Sequence, residues 1–146
     1  MENYFAELYE RDLLKLRDEI KNFKDDYNLW RTKDGISNSA GTLALHLTGS
    51  LNFTIGNKIG NTGYVRDRVR EFSATDIPRE ELITGIENLI EVVKTALTGI
   101  TQQKLEEIYP LEPYGQKSTA WYLTFFYGHL TYHLGQVDYL RRILEG

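Results

Sequence analysis

The chain has 146 residues, a net charge of −4 and no cysteine. This length suits one domain spanning residues 1–146 with its own core. The lack of cysteine excludes disulfides, thiolate metal sites and a cysteine nucleophile. Charges of both signs are interspersed without a basic stripe, so we do not expect nucleic acid as a partner. The acidic, amphipathic start has no basic segment before an apolar run, which favours a cytoplasmic protein.

The first half of the chain predicts two helices. Apolar residues recur at helical spacing over about residues 2–26, with charged residues between them, and predict an amphipathic helix. Residues 27–38 are rich in turn formers and predict a loop. A second helix is expected from Asn38 or Ser39, either of which can cap it, to about residue 59.

The second half predicts two more helices after a long link. Residues 60–77 form that link, and Pro78 with acidic neighbours marks the start of a third helix that Gly99 ends. Residues 101–108 predict a short helical turn, residues 109–115 a loop, and Ser118 caps a fourth helix that reaches about Leu144. The predicted fold is therefore all-α, a four-helix bundle with a long crossover between helices 2 and 3.

Two segments of the chain carry no Asp, Glu, Lys or Arg, namely residues 35–57 and 118–137. Both are long enough to raise the question of a membrane span. Their many Asn, Ser, Thr, Tyr and His residues make them too polar for a bilayer, so they predict buried core helices and no membrane partner.

All three histidines of the chain lie in these uncharged helices. His129 and His133 are four residues apart and share one helix face, about 5–6 Å apart at Cβ. His46 lies in the second helix, which can face the fourth in a bundle. Three imidazoles could hold a metal ion with an open position for water or substrate. The same spacing also fits three structural histidines without a metal.

The string His129-x-x-x-His133-x-Gly135-Gln136, with His46 in the second helix, resembles the DinB-like (damage-inducible) superfamily. That superfamily includes the bacillithiol transferases and the mycothiol-dependent isomerases. The resemblance covers nearly the whole chain, and it implies a divalent metal, nickel or zinc, held by His46, His129 and His133. It also implies a small-molecule thiol and an electrophile as partners, with the metal activating the thiol. Gln136 could orient a ligand or pack between helices, and we favour packing.

Three functions stay open on the sequence. The leading one is a metal-dependent low-molecular-weight-thiol S-transferase. A metal-dependent hydrolase would use a metal-bound hydroxide instead, and a non-catalytic metal- or ligand-binding bundle could act in stress response. None of the other residues supplies a defensible catalytic arrangement.

Two further features concern partners. The fourth helix is crowded with aromatic residues that point in more directions than one core face can take, which predicts a homodimer; they are Trp121, Tyr122, Phe125, Phe126, Tyr127 and Tyr132. The alternative is that neighbouring loops cover them. Arg66, Arg68 and Arg70 in the link could bind an anionic cosubstrate, although such a charged run is more often a solvated connection.

Overall fold

Six α-helices follow one another in the computed structural model, which describes residues 3–146. No strand occurs in that part of the chain, so the predicted all-α class is confirmed. The helices are α1 (Phe5–Asn22), α2 (Ala40–Leu51), α3 (Arg68–Ser73), α4 (Arg79–Leu97), α5 (Gln102–Glu106) and α6 (Thr119–Glu145).

The four longest helices form the predicted bundle. α1 packs against α4 and α6, and α2 packs against the same two helices, while α1 and α2 touch only weakly across the diagonal. Apolar side chains three and four residues apart line the inner faces, as in Leu13, Leu16 and Ile20 of α1, none of which is exposed to solvent. Burial of each such side chain stabilises the fold by about 1.5–3 kcal/mol.

The first helix is shorter than predicted. The prediction began at residue 2, which lies outside the described residues, and ran to residue 26, whereas α1 ends at Asn22. Phe23 adopts an extended backbone, and the Asp25 carboxylate accepts a hydrogen bond from the Tyr27 amide at 2.9 Å. This cap begins a separate 3-10 turn at Asp26–Trp30, so the predicted loop is partly helical.

The second helix begins as predicted, because the Ser39 hydroxyl accepts a hydrogen bond from the Thr42 amide. Its last part, Asn52–Asn57, widens into a π-helix in which amides bond five residues back. The amide of Gly60 donates to the carbonyl of Ile55 at 2.9 Å and closes this wider turn. The helical segment therefore reaches nearly to the predicted end at residue 59, but with a local change of pitch.

The long crossover is partly helical. The prediction had a link over residues 60–77, and the structure contains α3 within it. The Asp67 carboxylate accepts a hydrogen bond from the Arg70 amide at 3.0 Å and caps this short helix. α3 packs against α2. The crossover therefore lays a second layer of side chains over the outer face of α2.

The aromatic residues of α6 divide into buried and exposed groups. Tyr122 is fully buried and Phe126 nearly so, whereas Trp121 and Tyr132 are 39% and 65% exposed. The 109–115 loop covers part of this helix, and the ring of Tyr114 lies 4.5 Å from that of Phe125. The homodimer stays a prediction. Within residues 3–146, no helix combines the length and apolar character that a bilayer span requires.

Candidate metal centre

The structure brings all three histidines together between α2 and α6. The Nε2 atom of His129 lies 3.0 Å from that of His133 and 3.4 Å from that of His46. One ligand atom from each residue falls within 4.8 Å of the others. Nitrogen ligands bound at about 2.0–2.1 Å around a tetrahedral ion lie about 3.3 Å apart. The cluster therefore has the spacing of a metal-ligand set.

The outer ring nitrogens indicate which way the inner ones point. Nδ1 of His46 lies 3.1 Å from a Glu71 carboxylate oxygen, and Nδ1 of His133 lies 2.7 Å from the amide oxygen of Gln136. Each Nδ1 therefore donates its proton outward, and each Nε2 presents a lone pair inward. A single N–H on His129 could satisfy only one of these lone pairs. A cation at their meeting point would satisfy all of them, so the donor set fits a metal.

Glu71 is the feature that the sequence reasoning missed. Its side chain is 6% exposed and holds His46 through one oxygen. Arg66 binds the same carboxylate with two hydrogen bonds of 2.9 Å, one to each oxygen. The Arg66 guanidinium neutralises the buried negative charge of Glu71, which would be costly without a partner. With both oxygens engaged, Glu71 serves to orient His46, as carboxylates behind metal-binding histidines commonly do.

Gly49 makes room for this carboxylate on the surface of α2. A Cβ at this position would overlap a carboxylate oxygen of Glu71 and would lie 2.6 Å from its carbon. The group that approaches the helix backbone at Gly49 is therefore Glu71. Apart from the adjacent residues and the backbone of α6 itself, no described atom lies within 4 Å of a Cβ added at Gly128 or Gly135, so those two positions leave open space.

Two of the imidazoles are disposed to be neutral at physiological pH. Burial, with help from the neighbouring His133 and His46, lowers the pKa of His129 to about 4. Burial also lowers the pKa of His46, although the hydrogen bond to Glu71 acts in the opposite direction. A neutral imidazole is the form that binds a metal, so no proton has to be displaced from these two residues near pH 7.

Gln136 and the arginines of the crossover have distinct positions. The prediction favoured packing for Gln136, but its side chain is exposed and bonded to His133, which supports a role in orienting that ring. Arg66 is engaged by Glu71, and Arg68 lies over the Phe72 ring at 5.2 Å. Arg70 is exposed. The three arginines therefore lie in different surroundings, and a role in binding an anionic cosubstrate stays a prediction.

The chain matched none of the protein-family models with which it was compared, and no curated protein matched it significantly. The histidines and their hydrogen-bond partners are therefore the observations from which a function can be argued. They give a three-histidine group that could hold a metal ion.

Proposed function

We propose that this chain is a metal-dependent enzyme of the DinB-like kind, in which His46, His129 and His133 hold nickel or zinc. The observation that supports this is the meeting of three Nε2 atoms at ligand spacing, two of them with their protons directed outward to Glu71 and Gln136. Imidazole ligands suit both metals. Three protein ligands would leave a position for a substrate atom.

The reaction we propose is transfer of a low-molecular-weight thiol to an electrophile. A bound divalent ion would supply a Lewis acid that lowers the pKa of a thiol or water placed beside it. The surrounding residues supply the rest. Glu71 and Gln136 orient the imidazoles. The assignment of a thiol depends on the resemblance of the histidine string to the DinB-like superfamily.

Elemental analysis of protein purified without a histidine tag tests the metal. We expect about one nickel or zinc ion per chain in the native protein. His133→Ala should lose most of that metal, because one ligand is gone. Thr124→Ala is the matched control, since Thr124 is exposed on the same helix and its hydroxyl donates to the Ala120 carbonyl. Equal metal content in the native protein and in His133→Ala would contradict the proposal.

Turnover assays test the reaction. Candidate thiols with an electrophilic acceptor, with and without added nickel or zinc, should give metal-dependent loss of free thiol. Metal-dependent cleavage of ester or amide substrates without thiol consumption would instead indicate a hydrolase. Bound metal without any turnover would support the non-catalytic metal-binding bundle.

A further inference from the structure

A cleft of about 550 Å³ opens directly beside the histidines. His46 and His129 form part of its wall, together with residues from the end of α2, the crossover, the 111–114 loop and α6. Its volume lies within the roughly 300–1,000 Å³ of sites that bind small molecules. A molecule in this cleft could place one end against the histidine cluster.

Most of the cleft wall is apolar, and its shape is fixed by the fold. The apolar lining residues are Phe53, Leu111, Pro113, Tyr114, Phe125 and Phe126. The hydroxyl of the fully buried Tyr122 accepts a hydrogen bond from the Tyr114 amide at 3.0 Å and donates to the Gly115 carbonyl at 2.6 Å. These bonds tie the loop to α6. The aromatic wall is therefore preformed and suits a flat or bulky apolar group.

The cleft carries charged side chains of both signs. Three charged residues line it, namely Arg66, Arg68 and Glu112. Arg66 is bound to Glu71. Among residues 3–146, none of the ion pairs within 4.0 Å involves Arg68 or Glu112. Arg68 therefore keeps hydrogen-bond donors for an anionic ligand.

Arg68 is held at a defined place relative to the histidines. Its guanidinium carbon lies 5.2 Å from the centre of the Phe72 ring, and that ring lies 4.8 Å from the His46 ring. The guanidinium carbon of Arg68 and the centre of the His46 ring can therefore be no further apart than the sum of these two distances. A single small molecule can span that interval.

We propose that this cleft binds an organic carboxylate with an aromatic or similarly apolar body. The carboxylate pairs with Arg68, the apolar body lies against Phe125 and Tyr114, and the other end faces the histidines. Only the contact of the ligand with the histidines rests on the proposed metal-dependent function. The pairing with Arg68 and the apolar contact stand on the cleft alone.

Titration of the full chain with 3-phenylpropionate, followed by NMR chemical shifts, tests this proposal. The titration is carried out in chelator, so that the carboxylate cannot bind a metal instead, and repeated with zinc. We expect phenylpropionate to bind about tenfold more tightly than its neutral amide, because a charged hydrogen bond is added. Acetate, which lacks the apolar body, should bind more weakly than either. Equal binding of the acid and the amide would overturn the proposal.

Variants assign the effect to Arg68. Arg68→Gln should weaken phenylpropionate binding about tenfold and leave amide binding unchanged, and Arg68→Lys should restore part of the loss. Arg70→Gln is the matched control, since Arg70 is an exposed arginine of the same helix that does not line the cleft. Unchanged affinity in Arg68→Gln would overturn the proposal. Arg68-dependent binding, together with no metal in the elemental analysis of the protein as purified, would support the cleft while contradicting the proposed function.

Discussion

The two sides of the bundle, α1 with α4 and α2 with α6, are built differently. In α1 and α4 the buried residues are apolar, except for Asp12, and charged residues cover the outer faces. In α2 every residue except Leu45 and Thr48 is buried, and none is charged. α3 and the crossover account for this, because they cover the face of α2 that would otherwise meet solvent.

This difference separates stability from chemistry. An amphipathic helix with one apolar face contributes core packing and needs only solvent on its other face. A helix covered on most sides offers a place where imidazoles are desolvated and lose their tendency to take up protons. We therefore expect substitutions on the α1–α4 side to change the free energy of unfolding, and substitutions around α2 to change metal affinity.

The largest expected effect is on the α1–α4 side. Leu89→Ala in α4 should lower the free energy of unfolding by about 2–5 kcal/mol, because Leu89 is completely buried and its loss leaves a cavity. The metal dissociation constant of the folded protein should stay the same. Urea denaturation and metal titration measure the two quantities. Glu91→Ala, an exposed position of the same helix, should change neither. A loss of metal affinity in Leu89→Ala would contradict the expectation that this side of the bundle affects stability and not metal binding.

The next effect is on the α2 side. Glu71→Gln should weaken metal binding by about 10–100-fold, because the ring of His46 loses its charged partner and Arg66 loses its carboxylate. Gly49→Ala should have a similar effect, since its methyl group displaces the same carboxylate. Competition with a chelating dye measures the affinity. Gly85→Ala is the matched control, because its added Cβ would meet the Thr48 side chain of α2 only at an ordinary contact distance of 3.8 Å. Metal affinity that survives both changes would argue against orientation by Glu71.

The smallest expected effect is a pH dependence of the free energy of unfolding of the metal-free protein. The pKa of His129 is about 4 in the folded chain and about 6.5 when the ring is solvated. As pH falls, the His129 imidazole therefore takes up its proton at a higher pH in the unfolded state than in the folded state. The free energy of unfolding declines between about pH 6.5 and 4 as a result. Solvent screening of the partly buried ring limits the loss to about 1 kcal/mol. Thermal melting in chelator would show it, and His129→Gln should flatten the profile. An unchanged slope in that variant would assign the acid sensitivity elsewhere.

The sequence predicted the long helices and the histidine cluster, but not the carboxylate that hydrogen-bonds to His46. The periodicity of α1 and α4 and the spacing of His129 and His133 are local patterns, so they can be read directly. Glu71 lies 25 residues from His46 in a charged run, where nothing local separates it from solvated neighbours. Gly49 is the position in α2 that Glu71 approaches, but a glycine inside a helix does not by itself identify its neighbour.

The three inner nitrogens come from two helices, with His129 and His133 on α6 and His46, which lies 83 residues before His129, on α2. An ion held there would act as a crosslink that forms only in the folded state. By mass action, free metal at 100 times its dissociation constant would add about 2.7 kcal/mol to the free energy of unfolding. The melting temperature would then report metal supply, and the same protein would be more resistant to heat and proteolysis in a metal-replete cell than in a starved one.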